Sequence, residues 1–376
     1  MDLSIILTYR CNSKCSMCYI WKYPTQPNYE IDLKTLEKLP DGFDYLNLTG
    51  GEPTLREDLM EICDLLYPKA KTLEISTNGL NAERLIPIIK KYPDIKIRIS
   101  LEGIGYTNDI IRGEKDGYLK KTEGMKKLIE AGGCDLGFAT TFQDENIDQI
   151  LEIFNLTQNL NIEMATSALH NAFQFHKNDN TLYNRIRIAK KIEELIIQML
   201  KSKSPKNWFR AYLNLGLIRK VLGQPRLHPC TQGTDSVFID PWGDVYACNV
   251  RNDLYMGNLR EQTWEEIYNG ELAKEIRKKV AVCPQNCWMV SSAKTAIRSH
   301  IHPKIPKIKV FYWVFINKLK VMLGLRVKFE KYINYNNVQK DESIIKREYY
   351  LEKSVKKVLQ PSKSLKYIQL KEYFNK

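Results

Sequence analysis

The chain has 376 residues, of which 43% are hydrophobic, and a formal net charge of +13. This length suits one large α/β domain with one or two smaller additions, and it argues against a single small domain. The 9 cysteines are odd in number and clustered, which disfavours a secreted disulfide framework and favours metal ligation in a reducing cytoplasm.

The distribution of charge divides the chain near residue 290. Residues 291–376 contain 20 Lys and Arg against 6 Asp and Glu, whereas residues 1–290 contain 37 against 38. An apolar run at Leu3–Leu7 begins too early for a secretory signal, and the run Val310–Ile316 is far shorter than the ~20 residues of a spanning helix. The sequence therefore predicts a cytoplasmic protein with a basic tail that has a separate role.

Residues 1–166 alternate between strand and helix patterns. Apolar or β-branched runs predict six strands, at Leu3–Thr8, Tyr45–Thr49, Thr72–Ser76, Lys96–Leu101, Leu136–Thr141 and Ile162–Thr166. Helical patterns such as Arg56–Leu66 and Tyr118–Ala131 fill the gaps. This alternation predicts an α/β fold with a parallel sheet, here a partial (β/α)6 barrel of the TIM type.

Polar signatures follow each predicted strand. In chain order they are a three-cysteine loop, NLTGGEPT, ISTNG, ISLEG, ATTF and SALHNAFQFH. In barrels of this kind the chemistry lies at the C-terminal ends of the strands. We therefore expect these six loops to converge on one face.

The first loop, YRCNSKCSMCYIWKYP, contains Cys11, Cys15 and Cys18. A disulfide needs an even number of thiols, and a structural zinc site usually takes four nitrogen or sulfur ligands. Three thiolates suit a metal centre that leaves one coordination position open. A surface zinc loop with the same spacing is the alternative.

The spacing Cys-x3-Cys-x2-Cys, together with Gly50-Gly51-Glu52-Pro53, resembles the radical S-adenosylmethionine (SAM) superfamily. In that family three thiolates hold a [4Fe–4S] cluster, and the amino and carboxylate groups of SAM chelate its fourth iron. The resemblance implies an enzyme served by a low-potential electron donor of the flavodoxin or ferredoxin type. Its reaction would cleave SAM reductively to a 5′-deoxyadenosyl radical that abstracts a hydrogen atom from a substrate.

The resemblance also assigns the residues that contact SAM. The GGEP turn receives the SAM amino group, and Glu52 can pair with an ammonium. The ends of strands three and four face the ribose and carboxylate, and Arg112 faces the carboxylate, unless it is a solvated surface residue. The full predicted set is Gly50, Gly51, Glu52, Pro53, Ser76, Asn78, Ser100, Glu102 and Arg112.

Four further cysteines, Cys230, Cys248, Cys283 and Cys287, form a second set. The segment VFIDPWGDVYAC between the first two predicts a β-hairpin. The layout resembles the SPASM/Twitch extension of radical SAM enzymes, and its four cysteines imply the Twitch-like form with one additional [4Fe–4S] cluster. Two alternatives stay open: a zinc site with four cysteine ligands, or a cluster that leaves a ligand position for substrate. Cys63 and Cys134 are expected to be small buried hydrophobic residues.

These observations predict four segments. Residues 1–180 form the partial barrel, 181–227 a helical linker, 228–290 a small Cys-rich domain of β-hairpin and helix, and 291–376 a basic, partly amphipathic extension. The loop after strand six is the expected substrate wall, with solvated loop residues as the alternative. Its candidates are His170, Asn171, Gln174 and His176, and Thr141 and Gln143 after strand five are further candidates. No general acid or base can be named.

The tail suggests a partner and a class of substrate. Phe311, Trp313, Phe315 and Ile316 cannot all lie on one helical stripe, yet an apolar helix with basic flanks suits an anionic membrane surface, into which Phe311 and Trp313 are expected to insert. A helix packed on the barrel with a solvated lysine face is the alternative. Nucleic acid is not expected, because no reading module is present.

The catalytic body and tail together favour a sugar, lipid-linked or other small substrate, handled in the cytoplasm or at the inner face of the membrane. The alternatives are a peptide-modifying maturase and a non-catalytic iron–sulfur or zinc protein. A protein that only carries electrons has no need of the GGEP, STNG and SLEG motifs.

Overall fold

The computed structural model describes residues 1–298 and 304–338. Its strands are β1 (Asp2–Ile6), β2 (Tyr45–Thr49), β3 (Leu73–Thr77), β4 (Lys96–Ser100), β5 (Asp135–Phe142), β6 (Glu163–Ala168), β7 (Ser236–Ile239), β8 (Asp244–Tyr246) and β9 (Tyr255–Asn258). The helices of the barrel are α1 (Leu33–Glu37), α2 (Leu59–Leu66), α3 (Ile86–Lys91), α4 (Tyr106–Arg112), α5 (Gly117–Glu130) and α6 (Ile150–Asn159). The later helices are α7 (Arg185–Lys201), α8 (Pro205–Val221), α9 (Trp264–Asn269), α10 (Glu271–Ala281), α11 (Val290–Arg298) and α12 (Lys304–Met322).

The predicted strands are all present, and the α/β fold class with a partial barrel is confirmed. Strands β1 to β6 pair in parallel in sequence order. One face of the sheet is tightly packed, with Leu3, Ile5, Leu48, Ile75 and Ile97 on that face completely inaccessible. In β2, β3 and β4 the alternate positions carry polar side chains, among them Asn47, Glu74 and Arg98, so these strands show a period of two.

The hairpin of the second cysteine segment continues the barrel sheet. Strand β7 pairs in parallel with β1, with Leu3 opposite Val237 and Ile5 opposite Ile239, and β8 and β9 follow antiparallel. The sheet order is therefore β6-β5-β4-β3-β2-β1-β7-β8-β9. Both cysteine segments are thus attached to neighbouring strands, a pairing that the sequence pattern does not reveal. The division into four segments remains a prediction.

The segment after Cys287 is fixed to helix α8. Trp288 is 2% exposed, and its indole Nε1 donates a hydrogen bond to the carbonyl oxygen of Leu213 at 2.8 Å. The indole lies so close to Gly216 that a Cβ atom there would be 2.0 Å from the ring. Glycine at this position lets the tryptophan pack directly on the helix backbone.

Helix α12 packs on α7 and α8. Trp313 is 2% exposed and contacts Tyr212 edge to face at 5.4 Å, and the Lys318 ammonium donates to the carbonyl oxygens of Leu200 and Ser202 at the end of α7. Trp313 therefore belongs to the protein interior. The expectation that Trp313 inserts into a membrane is wrong, because the helix buries the face that carries it.

The structure also bears on the expectations for Cys63 and Cys134 and for membrane-spanning helices. Cys63 is completely buried as predicted, but Cys134 is exposed, so the expectation for Cys134 is wrong. None of the helices in the described part of the chain combines the length and the apolar character needed to cross a bilayer. The part of the predicted extension at residues 339–376 lies outside the described residues.

Candidate functional site

The three-cysteine loop follows β1 and is held by hydrogen bonds on both sides. The amides of Lys14 and Ser16 donate to the carbonyl oxygens of Arg112 and Ile111 at 3.0 and 2.9 Å. The amide of Tyr19 donates to the carbonyl oxygen of Phe175 at 2.8 Å. The loop is thereby attached to the helix that follows β4 and to the segment that follows β6.

Gly50 and Gly51 lie against the residues that lead into this loop. The amide of Gly51 donates to the carbonyl oxygen of Thr8 at 2.7 Å, and the amide of Glu52 donates to that of Arg10 at 2.8 Å. A Cβ atom on Gly50 would be 2.7 Å from the Thr8 oxygen, and one on Gly51 would be 2.2 Å from the Arg10 oxygen. Since no side chain fits there, the two glycines allow the GGEP turn to hold the start of the cysteine loop.

The carboxylate of Glu52 is completely buried and joins two of the predicted loops. Its Oε1 accepts hydrogen bonds from the Thr54 amide, the Thr54 hydroxyl and the Thr77 hydroxyl at 3.0, 2.7 and 2.8 Å. Its Oε2 accepts from the Asn78 amide at 2.6 Å. These bonds fix the end of β3 against the GGEP turn, and pairing of Glu52 with the SAM ammonium stays a prediction.

Asn78 connects this arrangement to the cysteine loop. Its side-chain Nδ2 donates to Oδ1 of Asn12 at 2.6 Å, next to Cys11. Ser76 is half-buried and its hydroxyl donates to Asn47 Oδ1 at 3.0 Å, while Ser100 lies half-buried at the end of β4. Pro53 is buried at the start of a short 3-10 turn. The structure thus gathers the GGEP turn and the ends of β3 and β4 around the loop.

A buried group of four charged side chains lies behind Cys15. Arg112 Nη1 is 3.5 Å from Glu102 Oε1, and Arg112 Nε is 3.5 Å from Glu114 Oε1. The Lys121 ammonium is 2.6 Å from Glu114 Oε2. Glu102 also accepts a hydrogen bond from the Thr141 amide at 2.7 Å. Arg112 is only 9% exposed, so the alternative of a solvated surface arginine is excluded.

Burial sets the proton affinities of these groups. It raises the pKa of Glu102, opposed by Arg112, and it lowers the pKa of Lys121 to about 8, with Arg112 contributing. Two cations and two carboxylates balance in formal charge, which makes their joint burial tolerable. Arg112 is placed to present positive charge toward Cys15.

The thiols of the loop are sheltered from solvent. Burial, with smaller contributions from neighbouring thiols, raises the pKa of Cys11 to about 11 and that of Cys18 to about 12. Cys15 is buried and its pKa is also raised by burial. Cys11 and Cys18 pack against an apolar group that includes Tyr9, Phe238 and Tyr246. Metal coordination would favour the thiolate form, so these thiols suit a metal centre better than reactive free cysteines.

Three of the predicted substrate-wall residues carry buried polar atoms without a hydrogen-bond partner among the described residues. They are Nε2 of Gln143, Nε2 of His170 and Oε1 of Gln174. Buried polar atoms are nearly always satisfied, so these three at the ends of β5 and β6 need partners that the described residues do not supply, such as a bound water or a polar ligand.

The other wall candidates have partners within the protein. Asn171 exchanges hydrogen bonds with Asn180, and the Thr141 hydroxyl lies 3.2 Å from that of Ser167. The His176 ring contacts the rings of Tyr9 and Tyr23. The polar side-chain groups of Asn171 and Thr141 are thus engaged within the protein, and their place in a substrate wall stays a prediction.

The second cysteine set lines one cavity. Cys230, Cys248, Cys283 and Cys287 share it with Arg226 and Arg251, among others. Burial raises the pKa of Cys248 to about 12 and that of Cys287 to about 11. Arg251 donates from Nη1 to Cys283 Sγ at 3.3 Å and is itself held by Asp253 through bonds of 3.0 and 2.6 Å. The cavity is thus lined by four thiol side chains and a fixed positive charge.

Both sets fit an iron–sulfur cluster by the chemistry of their donors. In residues 1–298 and 304–338, no three or more His, Cys, Asp and Glu side chains converge closely enough to hold a single metal ion. The fit to a cluster rests on sulfur-only donors, on shelter from solvent and, for the second set, on a shared cavity.

Two family models match the chain. One, described as the radical SAM superfamily, covers residues 5–157. The other, described as an iron–sulfur cluster-binding domain, covers residues 230–288. The first match includes Cys11, Cys15 and Cys18, and the second includes the four later cysteines.

Individual relatives extend over most of the chain. The pre-heme d1 synthase of Dinoroseobacter shibae is 26% identical over 312 residues, which cover 73% of this chain and 74% of the relative. The mycofactocin maturase MftC of Mycolicibacterium smegmatis is 24% identical over 286 residues, covering 72% and 71%. The solved structure of native anSMEcpe with bound AdoMet superimposes with a TM-score of 0.57 at 15% identity, covering 86% of this chain and 100% of that one. This last likeness establishes the fold.

Several residues of the site were not singled out from sequence. Glu114, Lys121 and Arg251 read as ordinary surface charges. For Lys121 a signal exists, because it shares the buried face of α5 with Gly117, Gly124, Met125 and Leu128. A lysine at a core position of an amphipathic helix predicts a buried ion pair. Arg251 carries no comparable signal, since its partner Cys283 is distant in sequence.

Replacement of Gly51 by alanine should release the cysteine loop. The added Cβ would lie 2.2 Å from the Arg10 carbonyl oxygen, so the turn must move, at a typical cost of ~1–3 kcal/mol. We expect Gly51→Ala, reconstituted anaerobically, to hold about half the iron of the wild type, since the second set is untouched.

Gly42→Ala is the matched control for this change. Among the described residues no heavy atom lies within 4 Å of a Cβ added there, although the φ of +89° makes the substitution strained. It should cost ~1–2 kcal/mol of stability and keep the full iron content. Full iron content in Gly51→Ala would contradict the anchoring role.

His170 should stay neutral in the folded protein over most of the acidic range. Burial lowers its pKa to about 4, with Lys220 contributing, and its Nδ1 lies 3.2 Å from the Ala168 carbonyl oxygen. The unfolded chain binds the proton near pH ~6.5, so the free energy of unfolding should fall by up to ~1.4 kcal/mol per pH unit as the pH drops from about 6.5 toward 4. Urea unfolding across this range should show a shallower slope for His170→Gln, and an unchanged slope would refute the assignment.

Proposed function

Because the chain belongs to the radical SAM superfamily and carries an iron–sulfur SPASM domain, we propose that it cleaves SAM reductively and removes a hydrogen atom from a small polar substrate. The observation that carries the proposal is the anchored three-cysteine loop at the C-terminal ends of the strands. Its flanking hydrogen bonds, to the GGEP turn and to Arg112, attach it to the loops that carry the predicted SAM residues, which supports the proposal.

The residues of the barrel would have distinct roles. Cys11, Cys15 and Cys18 would hold a [4Fe–4S] cluster, which with bound SAM supplies a 5′-deoxyadenosyl radical. The GGEP turn fixes the loop, and Arg112 provides a buried positive charge for an anionic group of the cofactor. Ser76, Asn78, Ser100 and Glu102 are the proposed contacts to the ribose and carboxylate. The low exposure of these groups keeps water from the reacting atoms.

The orphaned polar atoms favour a hydroxyl-bearing substrate. Gln143 Nε2 is a donor and Gln174 Oε1 is an acceptor. His170 donates from Nδ1 to Ala168, so its Nε2 presents a lone pair and is also an acceptor. A hydroxyl group can satisfy either kind of atom, which suits a sugar, a sugar carried on a lipid or another small polar molecule. One relative, the pre-heme d1 synthase, is named for the synthesis of a small molecule.

A peptide substrate is the second candidate. The name of the mycofactocin maturase MftC favours it, because that relative matches over a similar share of this chain. A peptide backbone also carries donors and acceptors. Product analysis with sugar, lipid-linked and peptide substrates distinguishes the two.

The second cysteine set would hold an additional [4Fe–4S] cluster. Four sulfur donors around one cavity match a fully ligated cluster, and the Arg251 bond to Cys283 would offset its negative charge. Electrons would come from a flavodoxin or ferredoxin type donor. Lys14 is exposed on the cysteine loop itself and could attract the acidic surface of such a donor.

Cleavage of SAM should depend on the first cysteine set. Anaerobically reconstituted protein with dithionite should convert SAM to 5′-deoxyadenosine, and the variant with Cys11, Cys15 and Cys18 changed to alanine should not. Cys63→Ala, which removes a buried thiol on α2, is the control and should keep the activity. Equal turnover by the triple variant would refute the assignment.

The metal content should separate a cluster from zinc in the second set. Two four-iron clusters give about eight irons per chain, and changing Cys230 and Cys248 to alanine should lower this to about four. Elemental analysis of anaerobically purified protein measures both. One zinc per chain that disappears in the double variant would show a structural zinc site.

A further inference from the structure

Helix α12 has two apolar faces, and one of them is exposed. The buried face carries Val310, Trp313, Val314 and Asn317, all at most 5% exposed, and packs on α7 and α8. On the opposite side a second row of apolar side chains is 43% to 69% exposed. This exposed stripe consists of Ile308, Phe311, Tyr312, Phe315, Leu319, Met322 and Leu323.

The spacing of the exposed stripe follows the helix. Its members recur at intervals of three and four residues, so at ~100° per residue they occupy a single face. From residue 308 to residue 323 the stripe is about 22 Å long at ~1.5 Å per residue. Exposed aromatic and aliphatic side chains in a continuous row of this length mark an interaction surface.

Lysines border the exposed stripe on both sides. At ~100° per residue, Lys307 and Lys318 lie along one edge, and Lys309 and Lys320 lie along the other. The helix contains no acidic residue. The order around its circumference is therefore buried face, lysines, exposed stripe and lysines again.

We propose that the exposed stripe of α12 docks the protein on an anionic membrane surface. An interfacial helix lies flat, with apolar side chains about 5–10 Å into the boundary between headgroups and acyl chains and with basic side chains at the phosphates. Phe311 and Phe315 would enter this layer, and Lys307, Lys309 and Lys320 would meet the anionic headgroups, whereas Lys318 stays bound to the end of α7. The barrel, fixed to the other face of α12, would be held at the surface.

Repulsion between like charges argues against two other partners for the exposed stripe, a second copy of α12 and the end of this chain. A second copy of α12 would bring its own lysines against these, so stacking two stripes would oppose like charges. Residues 339–376 of this chain contain 10 Lys and Arg against 5 Asp and Glu, and so also carry net positive charge. An anionic lipid surface is the occupant that complements both the apolar row and its basic edges.

The test is sedimentation of the full chain with vesicles. Phosphatidylcholine vesicles with phosphatidylglycerol as the anionic lipid should pellet the protein at low salt. Pure phosphatidylcholine should not, and salt near 1 M should weaken the binding, since the screening length falls from ~10 Å at 0.1 M to ~3 Å. Protein that stays in the supernatant with anionic vesicles at low salt overturns the proposal.

Paired variants locate the binding surface. Phe311→Ser with Phe315→Ser should weaken binding by roughly a hundredfold or more, because two inserted rings are lost. Leu119→Ser with Tyr183→Ser is the matched control, since these side chains are 56% and 80% exposed on other parts of the surface, and it should bind as the wild type does. Circular dichroism of each variant checks that its fold is unchanged.

Two further outcomes would overturn the assignment to α12. Truncation after residue 338 should preserve binding; loss of binding there, with full binding by the Phe311 and Phe315 variant, would place the surface in residues 339–376. Sedimentation velocity without lipid tests self-association, and a dimer that the phenylalanine changes dissociate would make the stripe a subunit interface. None of these measurements depends on the cleavage of SAM. A negative result for membrane binding can therefore be distinguished from a failure of the proposed chemistry.

Discussion

The close contact between the GGEP turn and the end of β1 is the constraint on which the rest of the site depends. Gly50 and Gly51 have no room for a side chain, and the amides of Gly51 and Glu52 donate to the residues that lead into Cys11. Glu52 then joins this turn to the end of β3, and Asn78 joins β3 back to the cysteine loop. A set of short contacts thus converts a flexible loop into a fixed triplet of thiols. The two glycines therefore position the cysteine loop, in addition to any contact that they make with a ligand. The motif alone implies only the contact with the ligand.

Charge and sheet continuity complete the arrangement. Arg112, held between Glu102 and Glu114, places a positive charge behind Cys15. Removal of one member of this balanced, buried group of four charges is destabilising, because it leaves a buried partner unpaired. The second cysteine set is linked to the first through β7, which pairs with β1. Two separate cysteine segments therefore share one rigid sheet.

Much of the barrel could be predicted from sequence, because each strand carries buried apolar residues and polar signatures follow the strands directly. The pairing of β7 with β1 could not, since Leu3 and its partner Val237 are 234 positions apart and leave no periodic signal. The same holds for Arg251 and Cys283, which meet only in the folded chain. The prediction for Trp313 was wrong because α12 is apolar on two faces, and its composition does not show which face packs on the rest of the protein. Tertiary contacts decided each of these points.

The most direct test of the account is whether SAM binds the cluster of the first cysteine set. Electron paramagnetic resonance of the reduced protein, with and without SAM, measures this in two variants. With Cys230 and Cys248 changed to alanine, SAM should alter the spectrum of the remaining cluster, whereas in Cys15→Ala the remaining spectrum should not respond. A response to SAM that persists in Cys15→Ala and is lost in the other variant would contradict the account.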